Sequence, residues 1–167
     1  MEKAQSTPSE KSDKFRFELN VYAPCNAKVT ELSNHPNQLV KDGFVGKGIS
    51  FIPTGSQLFS PISGQIIYFP QTCEQLRIKH PSGLLIHIEF GINTANLMAE
   101  SFRKLKSAGQ TVKRGELIFE YNLPLLNNKL TSLMSYICIA NLNQEFEFSS
   151  RLHSVKAIED IVFTIKK

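Results

Sequence analysis

Apolar and polar residues alternate at the start of the patterned chain. Phe15, Phe17, Leu19 and Val21 are separated by polar residues, the period-two pattern of a strand buried on one face. Further short runs of this kind predict strands at 27–32, 48–53, 64–69, 75–80, 84–90, 117–121, 135–140 and 160–166. Gly43, Gly46, Gly48, Pro53-Thr54-Gly55, Pro61-Ile62-Ser63-Gly64 and Pro81-Ser82-Gly83 punctuate them. Many short strands between Gly and Pro turns predict an all-β domain, an antiparallel sandwich or flattened barrel. Helical signal is sparse. Asn93–Lys106 is one candidate, with Thr94 as N-cap and Leu97, Phe102 and Leu105 on one face. Leu123–Leu130 is a second, shorter one. Phe59-Ser-Pro-Ile-Ser-Gly-Gln-Ile weakly echoes Tyr22-Ala-Pro-Cys-Asn-Ala-Lys-Val, which suggests two related hairpin units.

Composition narrows the class. The 167 residues suit one domain with one sizeable core, over 15–167. Residues 1–14 are polar and without an apolar anchor, and read as a disordered tail. No apolar run approaches the roughly 18 residues of a membrane span, so no insertion in a membrane is expected. The N-terminus lacks a signal-peptide pattern, so the expected location is the cytoplasm. Cys25, Cys73 and Cys138 form no C-x-x-C pair and read as free thiols, Cys25 and Cys138 as buried ones. The net charge of +4 is mild and its basic residues are scattered, which excludes a nucleic-acid surface. The chain has no Trp, so twelve Phe supply most of the aromatic core.

Several segments together carry a resemblance. They are Ala23-Pro24, Val45-Gly46-Lys47-Gly48 running to Pro53-Thr54-Gly55, Ser60-Pro61-Ile62-Ser63-Gly64-Gln65-Ile66, and Phe90-Gly91-Ile92-Asn93-Thr94. Gly109-Gln110-Thr111-Val112-Lys113-Arg114-Gly115-Glu116 and Leu123-Pro124-Leu125-Leu126 complete the set. In order and spacing these resemble the glucose-type enzyme IIA family of the bacterial sugar phosphotransferase system, over about Val21 to Lys167. The resemblance implies a β-sandwich of the duplicated hybrid kind. It also implies two histidines on adjacent strands facing one another in a shallow apolar depression. One accepts a phosphoryl group and the other supports it, because neutral imidazole is nucleophilic near pH 7. The Gly-Gln-x-Val-x-x-Gly turn also occurs in lipoyl and biotinyl carriers. Their Asp-Lys-Ala or Met-Lys tip is absent here.

At both histidine positions this chain has a glutamate. In Leu84-Leu85-Ile86-His87-Ile88-Glu89-Phe90-Gly91, Glu89 stands at the signature histidine. Glu74, in Thr72-Cys73-Glu74-Gln75-Leu76, stands at the accepting one. Thr72 matches a threonine that would orient the supporting side chain. Two facing carboxylates raise each other's pKa and disfavour the entry of phosphate. The expectation is a degenerate domain that binds and regulates protein partners without passing phosphate. Such partners are the histidine phosphocarrier, the sugar permease or regulated cytosolic proteins. The two negative groups leave open a mimicry of phosphohistidine. His87, two residues before Glu89, points to the same strand face. Glu74, Glu89 and His87 therefore leave open a divalent-metal set, against the plainer reading of a His bonded to a Glu. Glu74 or His87 as an unusual phosphoryl acceptor is the alternative function, and a zinc peptidase of the lysostaphin type a remote one. Cys73 is expected to point away from Glu74 on a regular strand. The segment 35–45 matches the apolar loop beside the family site, so Leu39, Val40, Phe44 and Val45, with Leu76, are the expected binding surface. Asn37 and Asn93 stand where acidic residues are expected, and Lys41 adds a positive charge, so partner choice is expected to differ.

Overall fold

A computed structural model describes residues 17–167. The expected tail, with Phe15 and Arg16, lies outside the described residues. The strands are β1 (Glu18–Tyr22), β2 (Ala27–Glu31), β3 (Lys47–Pro53), β4 (Gln57–Phe59), β5 (Gly64–Tyr68), β6 (Gln75–Lys79) and β7 (Leu85–Glu89). They continue with β8 (Phe102–Lys104), β9 (Thr111–Val112), β10 (Leu117–Tyr121), β11 (Ser135–Ile139), β12 (Glu147–Ser150), β13 (Ser154–Val155) and β14 (Ile161–Lys166). Two short helices, α1 (Gln38–Lys41) and α2 (Leu123–Lys129), join them. Eight strands form one sheet in the order β13-β2-β3-β11-β7-β6-β5-β9, and two three-stranded sheets, β1-β14-β12 and β4-β10-β8, complete the structure. Every strand pair is antiparallel. The expected all-β architecture is the observed one.

Alternation in the sequence becomes sidedness in the sheet. In β6, Leu76 and Ile78 are buried while Arg77 and Lys79 are exposed. The inward side chains meet an aromatic core. Phe90 packs on Phe102, Phe119 and Tyr121, with ring centroids 4.7–5.8 Å apart. Such pairs favour edge-on and tilted arrangements, and add a little beyond the area they bury. Gly48 permits close approach of β3 to β11: a Cβ there would sit 2.6 Å from the Cα of Cys138.

The helix expected over 93–106 is not formed. A 3-10 turn spans Thr94–Leu97, capped by Asn93 rather than Thr94. Met98, Ala99 and Ser101 then adopt left-handed φ values of 51°, 67° and 82°, which end any right-handed helix. Leu97 and Phe102 pack on the core, Phe102 from strand β8, while Leu105 is exposed. The apolar spacing reflects core contacts made from a turn and a strand. Helix α2 forms where expected. Its N-cap is Asn122, whose Oδ1 accepts from the Leu125 amide at 3.1 Å, and its Pro lies in the first turn, where no amide is needed.

Candidate functional site

The site is assembled at the ends of β6 and β7 and the middle of β11. Register sets the neighbours: Glu89 lies between Gln75 on β6 and Tyr136 on β11, and His87 between Arg77 and Cys138. Residues two apart share a face, so Arg77, His87, Tyr136 and Glu89 meet on one side of the sheet.

They form a directional chain of hydrogen bonds. Arg77 Nε donates to His87 Nδ1 at 3.2 Å. Because Arg cannot accept, Nδ1 carries no proton, and the imidazole holds its proton on Nε2. Nε2 faces the Tyr136 hydroxyl at 3.3 Å and Oε2 of Glu89 at 3.7 Å. The Tyr136 hydroxyl donates to the same Glu89 oxygen at 2.9 Å. The Nε2–H of His87 directed at the carboxylate is the largest influence holding Glu89 below the usual carboxylate range. Burial opposes it, and the Tyr136 hydroxyl adds to it. Burial, then the nearby Glu89, raises the Tyr136 phenol above its ordinary value. Behind Tyr136 stands buried His35, edge-on at 5.4 Å between centroids, its Nδ1 accepting from the Asn37 amide at 3.1 Å. Burial lowers the pKa of His35.

Glu74 arrives by a different route. It precedes β6, and the turn before it is closed by the Cys73 amide on the Pro70 carbonyl at 3.1 Å. Cys73 is left-handed, with φ 63°, so the strand is not regular there. Its thiol is buried and lies toward the Gln71 carbonyl, 3.5 Å away. Burial pushes that thiol up to about 11, which leaves it protonated and a poor nucleophile at neutral pH. The kink lets consecutive residues Glu74 and Gln75 both line one depression of about 260 Å³, shared with Glu89, Gly91, Asn93, Thr94, Ala95 and Asn96. Gly91 shapes the loop side: φ is 68°, and a Cβ there would meet Thr94 Oγ1 at 2.7 Å. A larger groove of about 570 Å³, around Arg103 and Glu120, holds none of the expected site residues.

Residues 19–145 match the family model for the phosphoenolpyruvate-dependent sugar phosphotransferase system, EIIA 1. The chain belongs to this family. It is 28% identical over 150 residues to the PTS system glucose-specific EIIA component of Haemophilus influenzae, covering 90% of each chain. It is 31% identical over 126 residues to that of Borreliella burgdorferi, covering 75% of this chain and 67% of the relative. The glucose permease IIA from Mycoplasma capricolum shares the fold, with a TM-score of 0.83 at 24% identity, over 89% of this chain and 96% of that one.

Within this enzyme IIA fold the expected site residues separate into groups. Glu74 and Glu89 line the same depression. His87 does not line it: it is 6% exposed and lies within the polar chain. Thr72 is half-buried, lies outside the lining, and makes no side-chain hydrogen bond to either glutamate among the described residues. Nor does any group of three His, Cys, Asp or Glu side chains gather as a metal site among them. The expected binding surface needs two corrections. Val40 is 2% exposed, because the first turn of α1 rotates it onto Tyr136 and Cys138, and Leu76 is 1% exposed on the inward face of β6. Val45 is half-buried against the same cluster. Leu39 and Phe44 remain outward, 61% and 77% exposed. Cys25 and Cys138 are buried free thiols, as expected. No helix among the described residues is long and apolar enough to cross a membrane.

Sequence reasoning overlooked Arg77, Tyr136, Gln75 and Asn96. The first two fall in expected strands, but that they face His87 and Glu89 follows from strand pairing and register, which alternation alone does not give.

Proposed function

We propose that this enzyme IIA-type chain acts by docking protein partners and takes no phosphoryl group from the histidine phosphocarrier. In this reading Glu74 and Glu89 occupy the places of the two family histidines. The observation that carries it is the state of Glu89. Tyr136 and His87 hold it ionised and in a fixed position beside Glu74. A dianionic phosphoryl group approaching that wall is repelled at close range. A carboxylate whose Oε2 accepts the Tyr136 hydroxyl and faces His87 is also a weaker nucleophile. Partners are those of a glucose-type phosphotransferase system, the phosphocarrier or the sugar permease. They dock on a face that retains exposed Leu39 and Phe44 and packs on Tyr136 through Val40 and Val45.

The alternative acceptors differ in standing. Both ring nitrogens of His87 have neighbours in the polar chain and the ring is buried, so nothing supports it as acceptor. Oε2 of Glu74 has no hydrogen-bond partner among the described residues, which leaves Glu74 as the second reading. Nothing supports a zinc peptidase. The deciding experiment supplies phosphoenolpyruvate, the first phosphotransferase and the phosphocarrier, and follows the intact mass of the chain. An unchanged mass is expected. A gain of one phosphoryl mass that disappears in Glu74→Gln would establish the second reading instead.

A further inference from the structure

Strands β2 and β3 are joined by a loop over residues 32–46 that is held from within and pinned at few points. Its Lys41, Asp42, Gly43 and Phe44 amides bond to carbonyls of the same loop. Of these described residues only His35 and Val40 are buried, and Leu32 and Val45 are half-buried against Val40, Tyr136 and Cys138. That small cluster is separate from the main core, so the loop has a local stability of its own. His35 is the polar pin. Its Nδ1 accepts from the Asn37 amide at 3.1 Å and its ring also bonds the Met134 carbonyl, so Nδ1 is bare and Nε2 carries the proton. Asn37 is in turn the N-cap of α1, its Oδ1 accepting from the Leu39 amide at 2.9 Å. A second proton on His35 goes to Nδ1, where it faces the Asn37 N–H, donor against donor. The bond is lost and an imidazolium is left in a buried site. The surroundings do little to hold that charge. β7 brings ionised Glu89, which favours it, and His87, whose Nδ1 accepts from Arg77. β11 brings the Tyr136 phenol and the Cys138 thiol, both kept protonated by burial. Glu31 on β2, Lys47 on β3 and the loop's own Lys41 and Asp42 are exposed. Burial outweighs Glu89 and the Met134 carbonyl and holds His35 below the ordinary imidazole value.

We propose that the loop 32–46 is a pH-sensitive docking element: neutral His35 seats it, and protonated His35 releases it, taking Leu39 and Phe44 out of their docking positions. The inference rests on the reading that the chain docks partners on this face without taking phosphate, and it names how that docking is regulated. In water the imidazolium regains its hydration, so the released loop binds the proton better than the seated one. Seating is at full strength above the ordinary imidazole value of about 6.5. It weakens as pH falls from there towards the seated value, by at most about tenfold per pH unit. Glu89 stays ionised through this window, because its carboxyl is held below the usual carboxylate range.

Two buried thiols make the test local. Cys138 lies under the loop, its thiol toward the Val45 carbonyl at 3.3 Å, and reports release, while Cys25 in the main core reports global unfolding. The full chain is labelled with methyl methanethiosulfonate from about pH 8 to about pH 5, a range that spans imidazole titration. Each labelled thiol is located by peptide mass, and its rate is divided by that of an unstructured cysteine peptide at the same pH. The wild-type Cys138 rate is expected to gain up to about tenfold per pH unit below about 6.5, with Cys25 unchanged. His35→Gln accepts and donates without titrating, and His35→Phe keeps a ring edge on Tyr136. Both are expected to give a flat Cys138 rate. Calorimetric titration with the phosphocarrier is expected to weaken over the same window in the wild type and not in His35→Gln. A flat Cys138 rate in the wild type, or a rise shared by Cys25, would overturn the proposal without recourse to either variant. The wild-type rise persisting in a folded variant would overturn it as well, as would a phosphocarrier affinity unchanged or absent over the window in which Cys138 opens. A phosphoryl mass on the wild-type chain under phosphotransferase conditions would overturn the docking reading whatever the thiols show. No phosphoryl mass together with flat thiol rates would remove this inference alone.

Discussion

Adjacent residues Glu89 and Phe90 belong to two regions built on different principles. Phe90 turns inward to Phe102, Phe119 and Tyr121, a cluster whose cohesion is apolar area and ring packing. Glu89 turns outward into a chain of four polar side chains with a fixed direction, from the Arg77 guanidinium to the Glu89 carboxylate. The aromatic side tolerates changes of identity that preserve volume. The polar side does not, because each member is matched to the protonation state of the next. A carboxylate at 89 is therefore a fitted part of this structure, with a donor built for it on β11.

Breaking the aromatic side gives the largest expected effect. Phe119→Ala removes a fully buried ring and is expected to cost about 3–5 kcal/mol, read from the urea midpoint at unchanged slope. On the polar side, Tyr136→Phe keeps the ring against His35 and deletes the hydroxyl, and is expected to cost about 1.5–3 kcal/mol, the range for a hydrogen bond to a charged group. The same substitution is expected to raise the Glu89 carboxyl toward its ordinary value, observable by carboxyl titration in NMR.

The pH dependence of stability sharpens the comparison. The Glu89 carboxyl is depressed in the folded protein, so its contribution is present above the ordinary carboxylate value and lost as pH falls through the folded value. Thermal midpoints of the wild type are expected to fall over that acidic window. Tyr136→Phe and Glu89→Gln are expected to fall less steeply there. A matching slope in Glu89→Gln would assign the dependence to other carboxylates.

The smallest effect is expected at the rim. Leu39→Ala and Phe44→Ala remove exposed side chains and are expected to shift stability by no more than about 0.5 kcal/mol. If these residues dock partners, the same changes weaken binding of the phosphocarrier while Val40→Ala chiefly lowers stability. Calorimetric titration alongside melting separates the two.

Legibility in the sequence followed the range of the physics. Strands β2, β3, β5, β6, β7, β10, β11 and β14 lie within a residue or so of their expected bounds, because alternation over five or more positions is a local signal. Strands β4, β8, β9, β12 and β13 are two to four residues long, too short to carry a period. The failed helix at 93–106 hid a series of left-handed residues, none of them glycine, which no composition rule announces. At the site, the shared strand face of His87 and Glu89 was readable from spacing. That Tyr136 stands opposite Glu89, and Arg77 opposite His87, depends on which strands pair and in what register. Glu74 reaches the depression only through the kink at Cys73, which a regular strand would have forbidden.

The central claim is that a docking scaffold persists with carboxylates where phosphoryl chemistry needs imidazoles. Its most direct measurement compares intact masses of the wild type and the Glu74→His, Glu89→His double variant under full phosphotransferase conditions. No gain is expected in the wild type, and one phosphoryl mass in the double variant. A phosphoryl mass on the wild-type chain would contradict it.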